Sequence, residues 1–400
     1  MHPTTDIRGS KGDELGGKKI VLCVTGSIAA VEAVKLAREL VRHGADVYAV
    51  MSDAAQKVIH QDALQYAIGR NVISGLTGDV EHIELCGDGT GKADLLLIAP
   101  CTANTIGKIA TGIDDTPVTT FASTALGTKI PIIIAPAMHE SMYSQPIVAD
   151  NIQRLKRLGI EFVGPRLEEG KAKIADVEDI VLYVLRTLSE KGLKGKKVLI
   201  AAGATAESID PIRILTSRSS GRTGLELGRE AFIRGADVTL VHRGDSPYPM
   251  MRHIHVESAG EMTDAVLDEL KGGYDIFICA AAISDYTVNR APNKIPSGKN
   301  LTLPLKPVPK LIGLVREQYP DLPMVGFKAE TNVATDVLID RAKSLKDAVR
   351  LDLIVANDVG KGGIGEDENE VYIIGEDIVH VKGSKRDIAK KVIDAIVGIL

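Results

Sequence analysis

Residues 20–44 read IVLCVTGSIAAVEAVKLARELVRHG, and this stretch predicts the start of an α/β fold. Residues 20–25 are a continuous apolar run, which is typical of a strand buried on both faces of a sheet. Residues 31–44 have the periodicity of an amphipathic helix. Gly26 and Ser27 therefore stand at a predicted helix N-terminus, where backbone N–H groups and the helix dipole favour a phosphate. A plain helix cap by Ser27 would leave the same pattern, so both interpretations stay open.

Short apolar strands alternate with helices along the whole chain, which predicts parallel sheets covered by helices. The predicted strands lie at 20–25, 46–51, 94–99, 131–135, 198–202, 237–241, 275–280, 324–327 and 353–356. The segments GADVYAVMS (44–52) and GADVTLVHR (235–243) are weakly similar in sequence, as in an internal repeat. We therefore predict two tandem Rossmann-like domains, each with a doubly wound parallel sheet.

The charged, glycine-containing segment 189–197 predicts the boundary between these domains. We place the first domain at 18–190 and the second at 191–400. Residues 1–17 are polar and glycine-rich, so a flexible tail is expected there.

The composition excludes several classes of function. The formal net charge of −5 over 400 residues argues against a general nucleic-acid surface and restricts any phosphate site to a local pocket. The four cysteines have no CxxC or metal-like spacing, so reduced thiols are expected. No apolar run approaches the ~18 residues that span a bilayer. We predict a cytoplasmic protein without membrane or nucleic-acid partners.

In the first half, loops rich in hydroxyl and amide groups follow the predicted strands. Such loops lie at the carboxyl ends of parallel strands, where open α/β sheets bind ligands. No GxGxxG occurs, and Ser52 and Asp53 after the second strand offer no unambiguous ribose-binding acid. This favours a ligand with one phosphate, such as FMN, over a dinucleotide.

Five motifs occur in this half in a fixed order: TGSIAA (25–30), MSDAA (51–55), HIEL (82–85), APCTANT (99–105) and APAM (135–138). Together they resemble the flavin-containing cysteine decarboxylases, and more narrowly the phosphopantothenoylcysteine decarboxylase half of a bifunctional coenzyme A biosynthesis family. The resemblance covers about residues 18 to 188. It implies that FMN oxidises the substrate thiol to a thioaldehyde and that CO₂ is then lost from the neighbouring carbon. The reduced FMN returns its two electrons to the decarboxylated intermediate, which gives 4′-phosphopantetheine. The resemblance also implies a trimer with FMN at a subunit interface.

The resemblance makes His82 the catalytic histidine and assigns substrate contacts to Met138, His139 and Lys171. The FMN-binding residues that it implies are Gly26, Ser27, Ile28, Ala29, Ser52, Thr102, Asn104, Ser123 and Thr124. Two departures stand out. His139 replaces the family's asparagine, and the flap segment 164–176 lacks the cysteine that protonates the intermediate in bacterial members. Either Lys171, Lys173 or Cys101 takes over as that proton donor, or the proton comes by another route.

In the second half, a glycine- and hydroxyl-rich segment precedes the predicted helix 225–235. Arg213, Arg218 and Arg222 flank residues 219–221 and offer cations and backbone donors for a phosphate near the helix start. A solvated basic loop is the alternative interpretation.

Six further motifs follow one another in this half: AGAT (202–205), RSSG (218–221), AAISDY (281–286), NKI (293–295), GFKAET (326–331) and ANDV (356–359). Together they resemble the phosphopantothenate–cysteine ligase domain over about residues 194 to 400. The resemblance implies that the carboxylate of 4′-phosphopantothenate attacks the α-phosphorus of a nucleotide and releases pyrophosphate. The amine of cysteine then displaces the nucleotide to give 4′-phosphopantothenoylcysteine.

For this ligase, the resemblance assigns Lys294 to the phosphates in the transition state. Substrate contacts are assigned to Arg213, Ser217 and Arg218. The predicted nucleotide-binding residues are Gly203, Ser219, Ser220, Gly221, Asp285, Lys294 and Phe327. Mg²⁺ is expected to bind mainly through the nucleotide phosphates, so no protein ligand is assigned to it.

The ligase half also departs from bacterial relatives. The bacterial relatives have an asparagine near the position of Ser217 and Arg218. The lysine cluster of those relatives is reduced here to KIPSGK (294–299), and Lys299 is a candidate to replace the missing lysines. CTP is favoured as the nucleotide, with ATP the alternative. The ligase is expected to dimerise, so the fused chain should form a large homo-oligomer.

Two rival functions are weighed against the bifunctional enzyme. In one, the first half keeps the flavin fold as a non-catalytic regulatory or binding module fused to an active ligase. In the other, the chain is an NAD(P)-dependent oxidoreductase, which the absence of GxGxxG at both first strands disfavours.

Overall fold

The computed structural model describes residues 2–298, 300–363 and 365–400, except the side chain of Lys361. Contacts divide the chain into two compact units, Met1–Ser189 (unit 1) and Glu190–Leu400 (unit 2). This division falls one residue from the boundary predicted above.

Unit 1 is built around a parallel sheet with the strand order β2-β1-β3-β4-β6. The strands of the unit are β1 (Lys19–Val24), β2 (Asp46–Met51), β3 (Leu95–Cys101), β4 (Ile132–Pro136), β5 (Met138–His139), β6 (Glu161–Phe162), β7 (Arg166–Glu168) and β8 (Lys171–Lys173). Strands β5, β8 and β7 form a separate antiparallel sheet. Every residue of β3 and β4 is buried, as a strand covered on both faces requires.

The helices of unit 1 cover that sheet. They are α1 (Thr4–Ile7), α2 (Ala33–Arg42), α3 (Asp53–Gln56), α4 (Gln61–Ile68), α5 (Glu81–Cys86), α6 (Ala103–Thr111), α7 (Pro117–Gly127), α8 (Glu140–Tyr143), α9 (Pro146–Arg157) and α10 (Val177–Leu188). A 3-10 turn, Ile28–Glu32, lies between β1 and α2.

The segment before β1 corrects the expectation of a flexible tail. Leu15 is completely buried, and its N–H donates to the His43 carbonyl at 2.9 Å. Arg8 donates to the Ala45 carbonyl at 2.9 Å, and Lys11 pairs with Glu39 at 2.7 Å. The segment therefore packs along α2, because one buried leucine and these polar contacts hold a stretch whose composition looks loop-like.

Unit 2 is built around an eight-stranded sheet with the order β13-β12-β9-β14-β17-β18-β19-β20. Its strands are parallel through β18, and β19 and β20 close one edge in antiparallel pairing. The strands of the unit are β9 (Lys197–Ala202), β10 (Ala206–Ser208), β11 (Ile214–Thr216), β12 (Asp237–His242), β13 (Arg252–His255), β14 (Ile276–Cys279), β15 (Tyr286–Val288), β16 (Leu305–Pro307), β17 (Met324–Glu330), β18 (Leu353–Asp358), β19 (Glu368–Ile374) and β20 (Ile378–Ser384).

The helices of unit 2 are α11 (Arg222–Ile233), α12 (Ala259–Leu270), α13 (Leu311–Gln318), α14 (Thr335–Val349) and α15 (Lys385–Val397). Two small antiparallel pairs, β10 with β11 and β15 with β16, stand apart from the main sheet. Within the described residues, no helix has both the length and the apolar character needed to cross a membrane.

Candidate active sites

Unit 1 has a cleft of about 550 Å³ at the carboxyl edge of its parallel sheet. The residues that line it follow the ends of β1, β2, β3 and β4, which is where parallel sheets bind ligands. Six predicted site residues line this cleft, namely Gly26, Ser27, Ser52, Thr102, Asn104 and Met138.

Three of the predicted hydroxyl residues cap helical segments that begin at the cleft. Ser27 Oγ accepts the Ala29 N–H at 3.3 Å, where the 3-10 turn begins. Ser52 Oγ caps α3 at 3.2 Å from its backbone donor, and Thr102 Oγ1 caps α6 at 3.3 Å. The two interpretations of Ser27 are therefore compatible, since it is a cap and also lines the cleft. Because the positive ends of three helical segments meet there, the cleft suits an anion.

Gly26 allows the closest backbone approach in the cleft. A Cβ atom at this position would lie 2.4 Å from the Cβ of Ala54 at the start of α3. Thr25, which the sequence analysis did not single out, connects the ends of β1 and β3. Its hydroxyl donates to the Pro100 carbonyl at 2.8 Å and accepts the Thr102 N–H at 3.1 Å. A threonine at the end of an apolar run gives no sequence signal for such a bridge.

The structure brings His139 and Lys171 together. They lie directly opposite each other in the antiparallel pairing of β5 with β8, beside Met138 of the cleft. The Lys173 ammonium is paired with Glu168 at 3.1 Å and with Glu169 at 2.9 Å. Lys171 has no carboxylate partner among the described residues, so it is the freer of the two lysines.

Cys101 is completely buried, and burial raises the pKa of its thiol far above the ordinary value. Such a thiol neither reaches the cleft nor releases a proton readily. Among the three alternatives for the proton donor, the geometry therefore favours Lys171.

The remaining predicted residues of unit 1 do not line this cleft. Ile28 is 81% exposed, and Ala29 lies beside it in the 3-10 turn. Ser123 and Thr124 lie on α7, where the Thr124 hydroxyl donates to the Thr120 carbonyl at 2.8 Å.

His82 lies on α5 against α7, also away from the lining of the cleft. Its ring meets Phe121 edge-on, with 6.4 Å between the ring centroids. Its Nδ1 is buried without a hydrogen-bond partner among the described residues. Within one chain, the predicted catalytic histidine and the cleft are therefore two separate features.

Unit 2 contains a cavity of about 540 Å³, bounded by the start of α11, the segment after β14 and the ends of β17 and β18. Five predicted nucleotide-binding residues line it, namely Ser219, Ser220, Gly221, Asp285 and Phe327. Arg222, which was predicted to offer a cation to a phosphate, also lines the cavity. Several other polar side chains of the lining were not predicted from the sequence, including Lys310, Lys328, Asn357, Asn369 and Lys385.

Gly203 and Gly221 form a backbone-to-backbone contact beside this cavity. A Cβ atom on Gly221 would lie 2.9 Å from the Gly203 Cα, and the φ angle of Gly221 is +74°. Both properties require glycine at 221, where the chain turns into α11. Gly203 thus supports the lining without being part of it.

Asp210 organises the loop that carries Lys294. Its carboxylate accepts the N–H groups of Ile212 and Arg213 at 2.8 Å each and that of Ile295 at 3.1 Å. Burial opposes ionisation of this group, but the three N–H donors and the Arg213 guanidinium outweigh it and lower the Asp210 pKa to about 2. Arg213 also donates to the Ile295 carbonyl at 3.1 Å. Arg213 and Lys294 are therefore held near each other, outside the cavity lining.

Ser217 and Arg218 are exposed and do not line the cavity. The Ser217 hydroxyl accepts the Ser219 N–H at 3.4 Å, so it shapes the turn into residues 219–221. Lys299 lies outside the described residues. Among the described residues, no group of three or more His, Cys, Asp or Glu side chains has the arrangement of a metal site.

A cleft bordered by capped helical starts on one α/β unit and a cavity lined by cationic side chains on the other define a two-domain α/β protein with two candidate ligand sites. The Flavoprotein family model matches residues 8–189, and the DNA/pantothenate metabolism flavoprotein C-terminal domain matches residues 193–400.

Curated relatives match both units together. The coenzyme A biosynthesis bifunctional protein CoaBC of Thermococcus kodakarensis is 50% identical over 99% of this chain and 99% of its own length. The protein of that name from Methanocaldococcus jannaschii is 40% identical over 99% of this chain and 97% of its own, and that from Vibrio vulnificus is 36% identical over 88% and 89%. The chain belongs to the coenzyme A biosynthesis bifunctional protein family.

This membership confirms the predicted α/β fold and the predicted bifunctional decarboxylase and ligase enzyme. It does not favour the alternative of a non-catalytic first half. The roles of individual residues stay predictions.

Proposed function

We propose that unit 1 binds FMN in its cleft and converts 4′-phosphopantothenoylcysteine into 4′-phosphopantetheine and CO₂. The observation that carries this proposal is the meeting of three capped helical starts around Gly26, at the carboxyl edge of a flavoprotein-family sheet. The backbone donors at these helical starts suit one phosphate, and glycine at position 26 lets the chain pass directly against Ala54 at the start of α3. Bound FMN would supply a two-electron acceptor for the carbon that bears the thiol, and the same electrons return to the product.

His139 and Lys171 are proposed to bind the cysteine carboxylate of the substrate at the rim of the cleft, which also places the Lys171 ammonium near the carbon that must be protonated. Their opposed positions on β5 and β8 place a hydrogen-bonding imidazole and an ammonium side by side. His139 Nδ1 already accepts the Ser141 N–H at 3.3 Å, so Nε2 is the nitrogen left to face a ligand. Lys171 is the proposed proton donor in place of the family's cysteine.

His82 is proposed to act on the cleft of a second copy of the chain. Its distance from the cleft lining and its unpartnered Nδ1 support a site completed by another subunit. This agrees with the trimer expected for the decarboxylase. Light scattering tests the assembly, and a species of only 42.6 kDa would contradict it.

For unit 2, we propose ligation of 4′-phosphopantothenate with cysteine, driven by a nucleoside triphosphate with Mg²⁺ on its phosphates. Ser219, Ser220 and Gly221 lie at the start of α11 in the cavity, where N–H groups and the helix dipole suit phosphate oxygens. Phe327 offers an aromatic face to the base, and Asp285 a carboxylate to the ribose.

Lys294 and Arg213 are proposed to stabilise the charge that develops at the α-phosphorus when the carboxylate attacks. Asp210 fixes the Arg213 guanidinium and the backbone of the Lys294 loop, so part of this geometry exists before substrate binds. CTP is the favoured nucleotide, and the enzyme is proposed to work in the cytoplasm. The ligase units are proposed to pair as dimers.

Two measurements test these proposals separately. Purified protein should show the absorbance of oxidised flavin or acquire it when FMN is added, and a protein that binds no FMN would contradict the assignment of the cleft. Repeated pyrophosphate release should require 4′-phosphopantothenate, cysteine and Mg²⁺, with at most one equivalent per site when cysteine is left out, and it should be faster with CTP than with ATP. Release without Mg²⁺, or a preference for ATP, would overturn that part of the proposal.

A further inference from the structure

Among the residues that the structure describes, four cationic side chains line the cavity of unit 2, and their partners differ. Arg222 is paired with Asp367, and Lys310 with Asp285. Lys328 is paired with Glu330 at 3.1 Å. Each of these three cations therefore has a carboxylate partner, although Lys328 shares Glu330 with Arg341.

Lys385 is the exception. Among the side chains that the structure describes, no carboxylate oxygen lies within 4.0 Å of its ammonium group. The residue is nevertheless only 5% exposed. Its backbone N–H donates to the Asp367 carbonyl at 3.0 Å, which fixes the start of α15 at the cavity.

A buried ammonium without a counter-ion is unfavourable, so its surroundings matter. Burial and the neighbouring Arg222 lower the pKa of Lys385, whereas Asp367 and Glu366 act in the opposite direction. Both carboxylates have other partners, since Asp367 pairs with Arg222 and Glu366 accepts the Gly363 N–H at 3.1 Å. The protein therefore leaves this charge largely uncompensated.

Two helix starts meet at the same place. Arg222 is the first residue of α11 and Lys385 the first of α15, the two helices pack on each other, and both residues line the cavity. Each helix presents its positive end there. An anion with several oxygens is the ligand that this arrangement would bind best.

We propose that Lys385 is a substrate-binding residue of the ligase, and that its ammonium contacts a phosphoryl group of a bound substrate. The inference rests on the proposed ligase function of unit 2. Phosphoryl oxygens reach this site from the nucleoside triphosphate or from the phosphate monoester of 4′-phosphopantothenate. Both bring the negative charge that the end of the cavity lacks.

The test compares Lys385→Met with Lys385→Arg in the full-length protein. Lys391→Met serves as the control, because Lys391 lies on the same helix and is exposed. Calorimetric titration with inorganic pyrophosphate should show binding weakened at least tenfold in Lys385→Met and largely restored in Lys385→Arg, as expected for the loss of a charge-assisted contact. The control should bind as the wild type does. Equal pyrophosphate affinity in the wild type and Lys385→Met, or no binding by the wild type, would overturn the inference.

Steady-state kinetics distinguish the two sources of the phosphoryl group. The KM for the nucleotide should rise in Lys385→Met if the contact is to the triphosphate, and the KM for 4′-phosphopantothenate if it is to the monoester. The KM for cysteine and the rate of decarboxylation should not change. If both phosphorylated substrates keep their KM, the assignment of Lys385 is wrong even though the ligase is active. If the wild type releases no pyrophosphate from either nucleotide, the proposed ligase function fails, and the titration still decides the role of Lys385.

The melting temperature separates binding from a structural role. Removing an uncompensated buried charge should leave the ligand-free Lys385→Met protein at least as stable as the wild type. A structural lysine would instead show a lower melting temperature in Lys385→Met, which would count against the proposal.

Discussion

The contact between Gly221 and Gly203 leads to a specific prediction for Gly221→Ala. Alanine at a φ of +74° costs about 1–2 kcal/mol. The new methyl group would lie 2.9 Å from the Gly203 Cα, which is shorter than the ~3.5–4.0 Å of a normal carbon contact. Relieving this overlap requires the two segments to separate by roughly 0.6–1.1 Å and adds about 1–3 kcal/mol of overpacking. The free energy of unfolding of unit 2 should therefore fall by about 2–5 kcal/mol.

The same displacement moves the start of α11, where the phosphates are proposed to bind. Because a shift of about 1 Å at a catalytic group can cost 10²-fold in rate, kcat/KM for the nucleotide should fall by about that factor. The assay is pyrophosphate release by folded protein at a temperature well below its melting point. Decarboxylation of added 4′-phosphopantothenoylcysteine should be unchanged.

Gly244→Ala is the matched control. Gly244 has a φ of +92°, yet an added Cβ would meet no atom within 4 Å. It should therefore show the backbone penalty alone, about 1–2 kcal/mol of stability, with ligase activity close to that of the wild type. If Gly221→Ala lost no more ligase activity than Gly244→Ala, the close approach of the two glycines would not support the phosphate site.

Three further predictions concern stability and reactivity. Arg316→Met should destabilise unit 2 by about 3 kcal/mol and lower its melting temperature by roughly 6–12 °C, because the buried guanidinium donates to five backbone carbonyls. The surface variant Arg341→Met should change the stability by less than about 0.5 kcal/mol. Equal effects of the two substitutions would refute this role of Arg316. Burial and the neighbouring His253 and His255 lower the His242 pKa from 6.5 to about 4, so the contribution of His242 to stability is present above pH 6.5 and is lost as the pH falls towards 4. In His242→Phe, the free energy of unfolding measured in urea should therefore depend less on pH over that range. The same pH dependence in the wild type and the variant would contradict this. All four cysteines are buried, so a thiol reagent should react with none of them in the folded protein and with all four in denaturant; fast labelling of native protein would show that a thiol is accessible.

The strands of both units were largely predictable because buried parallel strands are continuous apolar runs. The segment 46–51 was predicted as a strand and is β2 at the same residues, and the prediction at 353–356 lies within β18. The antiparallel pair β19 and β20 was missed. Only the last part of β19, residues 371–374, is an apolar run, and no residue of β20 is buried, so the hairpin has no long apolar run to detect.

Burial of polar side chains was the part that local sequence could not provide. Lys385 is the first residue of a helix and looks like a surface lysine, but the packing of α15 on α11 encloses it. His82 was recognisable from its motif, whereas its separation from the cleft depends on how α5 packs on α7. Such distances between elements are set by tertiary packing and leave no periodic signal in the chain.

The central claim is that one chain holds two independent catalytic sites, and separate assays of both reactions in His82→Asn and Lys294→Gln test it most directly. His82→Asn should release pyrophosphate at the wild-type rate while forming no CO₂ from 4′-phosphopantothenoylcysteine. Lys294→Gln should decarboxylate that compound normally while releasing little pyrophosphate. If either substitution abolished both reactions in correctly folded protein, the two sites would not be independent.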